Sequence, residues 1–253
     1  MKKQLCFFLS FAVTLVLLFV PMLSTASDYV TSTQDPRYRY AIQSDGTIHI
    51  VDVKLDDSVT RWIVPETLDG YTVSSASYYS GHNVREIVLP SSIKTLRARI
   101  YEVSPLKYIY LSEGLQTIEY RVNDTTDYIV IPSSVTFIAE KAFGWVGATP
   151  LPGHTSVPGH IVPMDGFTVY SFGNEVARAY AETDGHDYVD LNGFDRGDLD
   201  INGTVNMMDA LTLYAISSGE DFGTPLERAM ADSTKDGVID TMDSLLTYRV
   251  VSG

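Results

Sequence analysis

The sequence predicts a mainly β solenoid of short strands, followed by a small all-α module of two loop-helix repeats. Three observations predict it. A short apolar strand motif recurs between residues 61 and 143. An oxygen-rich loop of twelve residues occurs twice in the last 59 residues, at an offset of 34. The single cysteine, Cys6, lies at the extreme N-terminus, so the rest of the chain has no disulfide to lean on.

The composition sets the outer bounds. With 45% hydrophobic and 20% charged residues in 253, the chain can bury a real core and holds two modest domains. The formal net charge of -14 argues against nucleic acid as a partner, because a phosphate backbone selects clustered Lys and Arg. Residues 195–253 carry 11 carboxylates against 4 basic side chains, so half of the net charge sits in under a quarter of the chain. That concentration points to cation sites rather than to general solubility.

Residues 1–26 read as a signal peptide. Lys2 and Lys3 precede an apolar run from Leu5 to Val20, Pro21 breaks it, and Ser24-Thr25-Ala26 offers small residues for cleavage. The run is also about long enough to be kept as a membrane anchor. Cleavage would leave a secreted chain with no membrane segment and no cysteine, stabilised by packing and by metal.

The first loop runs from Asp198 to Asp209. Asp198, Asp200, Asn202, Asn206 and Asp209 bring side-chain oxygens to positions 1, 3, 5, 9 and 12, and Thr204 offers its backbone carbonyl at position 7. Calcium takes six to eight oxygens, and this alternation supplies them. Gly203 at position 6 permits the sharp turn. The second loop repeats the pattern with Asp232, Thr234, Asp236, Val238 (carbonyl), Asp240 and Asp243, around Gly237. The expectation is two calcium ions, with the second loop weaker because Thr234 brings no charge.

The register persists beyond the ligands. Val205 matches Ile239, Leu211 matches Leu245, Tyr214 matches Tyr248 and Ser218-Gly219 matches Ser252-Gly253. A helix is expected to leave each loop. None enters the first, where Phe194-Asp195-Arg196-Gly197 precedes it. Between the repeats, Thr224-Pro225-Leu226-Glu227 is a helix start with an N-cap, a first-position Pro and a capping-box Glu.

Duplicated loop and exit-helix units without a helix entering the first resemble the dockerin family over residues 195–253. The resemblance implies two units packed antiparallel, two calcium ions, and docking onto a cohesin domain of a scaffoldin in a cellulosome or related extracellular assembly. It places the cohesin contacts at loop positions 10 and 11 and along the following helix. Here those positions are Met207-Met208 and Thr241-Met242, where many dockerins have small hydroxyl residues; Leu211, Tyr214, Leu245, Tyr248 and Arg249 complete the candidate docking set. Met207 and Thr241 read as contacts, whereas Met208 and Met242 fit a contact or the module's core equally. Leu211 and Leu245 read first as core, and Tyr214 and Tyr248 fit either role. Arg249 stands opposite Ala215 in the repeat, so the two halves are not equivalent.

In the body, Trp62-Ile63-Val64-Pro65, Ile87-Val88-Leu89-Pro90, Ile109-Tyr110-Leu111-Ser112 and Ile129-Val130-Ile131-Pro132 align with spacings of 25, 22 and 20. The last three are followed by equivalent apolar positions Leu96, Ile118 and Ile138. Periods of about 20–29 with one short strand per coil mark a leucine-rich-repeat solenoid over 61–192, with a β-sandwich as the competing architecture. The V-x-I-P-x-x-V-x-x-I pattern and Ile138-Ala139-Glu140-Lys141-Ala142-Phe143 resemble BspA-like cell-surface repeats. Strand 167–170, helix 174–183 and a C-cap at Gly185 resemble their closing repeat. Residues 28–60 are expected to form a capping β segment.

No nucleophile elbow, zinc-protease helix or phosphate loop occurs. The Pro-Gly-His tandem at 152–154 and 158–160 lacks a neighbouring acidic or cysteine ligand and reads as loop. Tyr78-Tyr79 fit packing within a coil or stacking on a sugar. The expected function is therefore a secreted, non-catalytic component that docks through calcium and presents the body to a protein or polysaccharide. A polysaccharide hydrolase, which needs two placed carboxylates, and an adhesive structural protein are the alternatives.

Overall fold

The computed structural model describes residues 29–77, 83–96, 106–119, 126–147 and 161–253. The signal segment, Tyr78-Tyr79 and the Pro-Gly-His tandem lie outside them.

The chain begins with β1 (Val30–Thr31), β2 (Tyr38–Ile42) and β3 (Ile48–Val53). The capping segment reaches further than residue 60. Strands β5 (Thr67–Leu68) and β6 (Tyr71–Ala76) complete a five-stranded sheet in the order β1-β2-β3-β6-β5, with β6 parallel to β3. Asp69, in the turn between β5 and β6, clips this sheet to the N-terminal turn. Its carboxylate accepts from Thr33 N (3.0 Å), Gln34 N (2.7 Å) and the Tyr40 hydroxyl (3.0 Å). Desolvation works to raise its pKa, but these bonds to the charged form prevail and lower it to about 2.

The repeat then becomes a stack of parallel ladders. Strands β4 (Arg61–Ile63), β7 (Glu86–Val88) and β9 (Tyr108–Tyr110) pair in parallel, with Trp62, Ile87 and Ile109 in register. Those three are buried, as are Val64 and Leu89 in the following positions. A second parallel ladder joins β8 (Thr95–Leu96), β10 (Thr117–Ile118) and β12 (Phe137–Ile138), placing Leu96, Ile118 and Ile138 side by side. These are the equivalences the spacing predicts. One coil buries one residue from each ladder, and stacking continues the core.

Strand β11 (Tyr128–Ile131) continues the stack and pairs with β15 (Thr168–Ser171), which pairs with β16 (Asp187–Asp190), all parallel. Strands β13 (Trp145–Gly147) and β14 (Ile161–Pro163) form a small antiparallel pair. The helix α1 (Glu175–Asp184) closes the body, with C-cap Gly185 as expected and Asn174 standing as its N-cap rather than within it. Asn174 accepts from Val176 N and Ala177 N while its amide donates to Pro132 O and Val135 O, at 3.0 and 2.9 Å. One side chain thus caps the helix and ties it to the preceding coil. The hydrophobic core runs unbroken from Tyr38 to Ala181.

After a 3-10 turn at Leu191–Gly193, the tail contains α2 (Met207–Ser218), α3 (Pro225–Ala231) and α4 (Thr241–Ser252). Its own core is small: Leu199, Leu213, Ile216 and Ala231, with Ile239 packed against it. So little apolar burial leaves a 59-residue module dependent on other stabilisation. Part of that comes from the body, since α3 rests on the outward face of β9 and β11.

Candidate calcium loops and docking face

Both loops are held open by the same backbone wiring. Asp198 accepts from Asn202 N (3.1 Å) and Gly203 N (2.8 Å), and Asp232 accepts from Asp236 N (3.1 Å) and Gly237 N (3.0 Å). Asn202 Oδ1 takes Thr204 N, and Asp236 Oδ1 takes Val238 N, each at 2.9 Å. Gly203 and Gly237 have φ of 88° and 87°, the left-handed turn expected at position 6. Position 4 is left-handed too, at Ile201 (φ 50°) and Lys235 (φ 61°). Nothing in those two side chains signalled it; only the loop geometry imposes it.

The position 12 carboxylates do two jobs. Asp209 accepts from Leu199 N (2.9 Å) and Asn206 N (2.8 Å), while Asp243 accepts from Thr234 N and Asp240 N, both at 2.9 Å. Each therefore staples the loop's start to its end. Each also completes a capping box with the N-cap of its exit helix, Asn206 for α2 and Asp240 for α4. The helix start requires the acid at this place, and the loop requires it in the same place.

The charge is gathered unequally. In the first loop, oxygens of Asp198, Asp200 and Asp209 lie within 4.8 Å of one another, and Asp198 and Asp209 are 1% and 3% exposed. Burial pushes the Asp198 carboxyl above its usual range. Three crowded carboxylates, two of them out of water, with only oxygen donors around them, fit a hard cation such as calcium. The second loop repeats the wiring, but Asp232 is half-buried and position 3 is the neutral, exposed Thr234. Asp243, fully buried, is its best-shielded acid.

Residues 196–250 match the family model described as Dockerin type I domain. A dockerin domain implies calcium binding and docking onto a cohesin in an extracellular, cellulosome-type assembly. No curated protein and no solved structure matches the chain. Among the described residues no helix is long and apolar enough to cross a membrane.

Beyond the loops, α2 and α4 pack against each other and leave a groove of about 350 Å³ between them. Met207, Leu211, Tyr214, Thr241, Leu245 and Tyr248 line it. The reading of Leu211 and Leu245 as core is corrected: they are 56% and 44% exposed. The small core takes Leu213 and Ile216 from α2 instead, one helical face away. Met208 and Met242, at 67% and 57% exposed, are also outside the core. Arg249 is exposed at the far end of α4. Six of the nine sequence-predicted partner residues thus share one largely apolar groove, which a monomeric module has little reason to expose. Met208, Met242 and Arg249 are exposed but do not line it.

Proposed function

We propose that this chain is a secreted, non-catalytic subunit that binds two calcium ions and docks onto a scaffoldin cohesin. In this reading the body is a BspA-like leucine-rich-repeat domain that displays a surface for a protein or polysaccharide ligand. The observation that carries the docking half is the α2–α4 groove, where exposed Leu211 and Tyr214 meet their repeat equivalents Leu245 and Tyr248. A second observation supports the body half: two ladders of short parallel strands, in the registers that a stacked repeat requires. Such stacking serves display rather than an enclosed reaction site.

The experiment is a binding assay of the full chain on a panel of immobilised cohesins, in calcium and in chelator. Binding is expected to at least one cohesin, in calcium only. Leu211→Asp and Leu245→Asp should each weaken it at least tenfold, because a charge would be buried without a partner. Retained binding in chelator, or indifference to both substitutions, would contradict the groove as docking face. Hydrolysis of cellulose, xylan or pectin that disappears on replacing one carboxylate of the body would overturn the non-catalytic reading.

A further inference from the structure

The outward face of the body's ladder is built for contact, although nothing in the repeat itself demands it. Tyr108, Tyr128 and Tyr170 point outward and form a chain of rings, 5.9 Å from Tyr108 to Tyr128 and 5.6 Å from Tyr128 to Tyr170. Tyr110, one position on from the buried Ile109, is nevertheless only 7% exposed. What covers it is the segment between the two calcium repeats.

Phe222 sits edge-on to Tyr110, with ring centroids 5.1 Å apart, and the Tyr110 hydroxyl donates to Gly223 O at 2.8 Å. The guanidinium groups of Arg61, from the body, and Arg228, from α3, approach the Phe222 ring at 4.0 and 4.5 Å. Arg61 is in turn paired with Glu86 on the neighbouring strand. Burial pushes the Tyr128 phenol up to about 12, an effect that Thr224 and Leu226 at the start of α3 oppose. On the other flank, Arg196 stacks on Phe172 of the body at 3.7 Å and donates to Ala229 O at 2.6 Å.

The position of this contact matters. Helix α3 ends at Asp232, which is both its C-cap and position 1 of the second loop. Asp232, Gly237 and Ile239 line the same cleft, about 340 Å³, as Val88, Tyr110 and Arg196. No ligand of the first loop lines it, and it shares no residue with the α2–α4 groove.

We propose that the tyrosine-rich face of the body is an intramolecular docking surface for the calcium module, and that this contact preorganises the second calcium loop. The inference rests on the two-calcium reading above. The second loop is the more exposed, and it lacks the position 3 carboxylate, although Asp236 and Asp240 stand where the first loop has Asn202 and Asn206. Holding α3 on the body fixes the backbone that carries Asp232 before calcium arrives, so less ordering remains for the ion to drive. By linkage, calcium in that loop must strengthen the body contact equally. The docking groove shares no residue with this contact, so the module can meet an external partner while it rests on the body.

The test uses the full chain, with each loop isolated by disabling the other. In an Asp198→Ala background, calorimetry reports the second loop; in an Asp232→Ala background it reports the first. Phe222→Ala should weaken calcium binding about tenfold in the second loop and less than about threefold in the first. Tyr110→Phe, which removes only the hydroxyl bond to Gly223, should shift the second loop the same way by a smaller factor. The far-ultraviolet spectrum of each calcium-saturated variant checks that the module is folded. Equal weakening of both loops, or no change in the second with a folded module, would overturn the proposal while leaving the calcium sites intact. Absence of calcium binding in the unmodified chain would overturn the two-calcium reading and this inference together.

Discussion

The first loop brings Asp198, Asp200 and Asp209 within 4.8 Å and keeps two of them almost fully out of water, whereas the second leaves Asp232 half-exposed and puts Thr234 where Asp200 would stand. Yet the hydrogen bonds from the position 5 and 6 amides to the first Asp, and from the cap residue to the last Asp, are the same within about 0.2 Å. The comparison separates two things that a motif conflates. The path of the backbone is set by Gly at position 6, Asp at positions 1 and 12 and the cap at position 9, which both repeats retain. The strength of the site is set by how closely the charges are gathered and how well water is kept away. The second loop carries four acids against three, but the first draws its three within 4.8 Å and buries two of them. Asp232, Gly237 and Ile239 of the second loop line the cleft against the body, and no ligand of the first loop does.

The comparison breaks most visibly when the position 1 acid is removed. Asp198→Ala and Asp232→Ala should each abolish one calcium site and leave the other. Asp198→Ala should also cost more stability in the calcium-loaded chain, roughly 2–3 kcal/mol, because it strips two backbone amides of a buried, charged acceptor. Asp232→Ala should cost less, because its acceptor is partly solvated. Chemical denaturation in saturating calcium checks the order, and equal losses would mean that burial does not distinguish the loops. A smaller, opposite effect sharpens the same point. Thr234→Asp should tighten the second loop by roughly tenfold, about 1.4 kcal/mol, by restoring the missing carboxylate. The same change should destabilise the calcium-free chain, since it adds a fifth acid to the four the loop already carries.

Much of this was legible in the sequence, for identifiable reasons. Caps and turns are local, so Thr224, Gly185, Gly203 and Gly237 announce themselves by residue type and spacing. The stacking of Leu96, Ile118 and Ile138 follows from a period, and a solenoid converts period directly into contact. The failures are equally physical. Strands β5 and β6 joined the N-terminal sheet because β6 pairs in parallel with β3 across an intervening coil, a long-range choice with no local signature. Leu211 and Leu245 were placed in the core on helical pattern alone. In a module this small, Leu213, Ile216 and Ala231 already fill the core, and the apolar surplus faces out. The contact of Phe222 with Tyr110 joins residues more than a hundred positions apart. The only available hint was the run of outward tyrosines at 108, 110 and 128, which a repeat needing only alternate apolar positions does not explain.

The most direct test of the account is a calcium titration of the chelator-treated full chain, followed by calorimetry and far-ultraviolet circular dichroism. The account predicts two ions per chain, bound with unequal affinities, and a rise in helical signal as α2 and α4 are fixed at their capping acids Asp209 and Asp243. A single ion, or identical spectra with and without calcium, would contradict it.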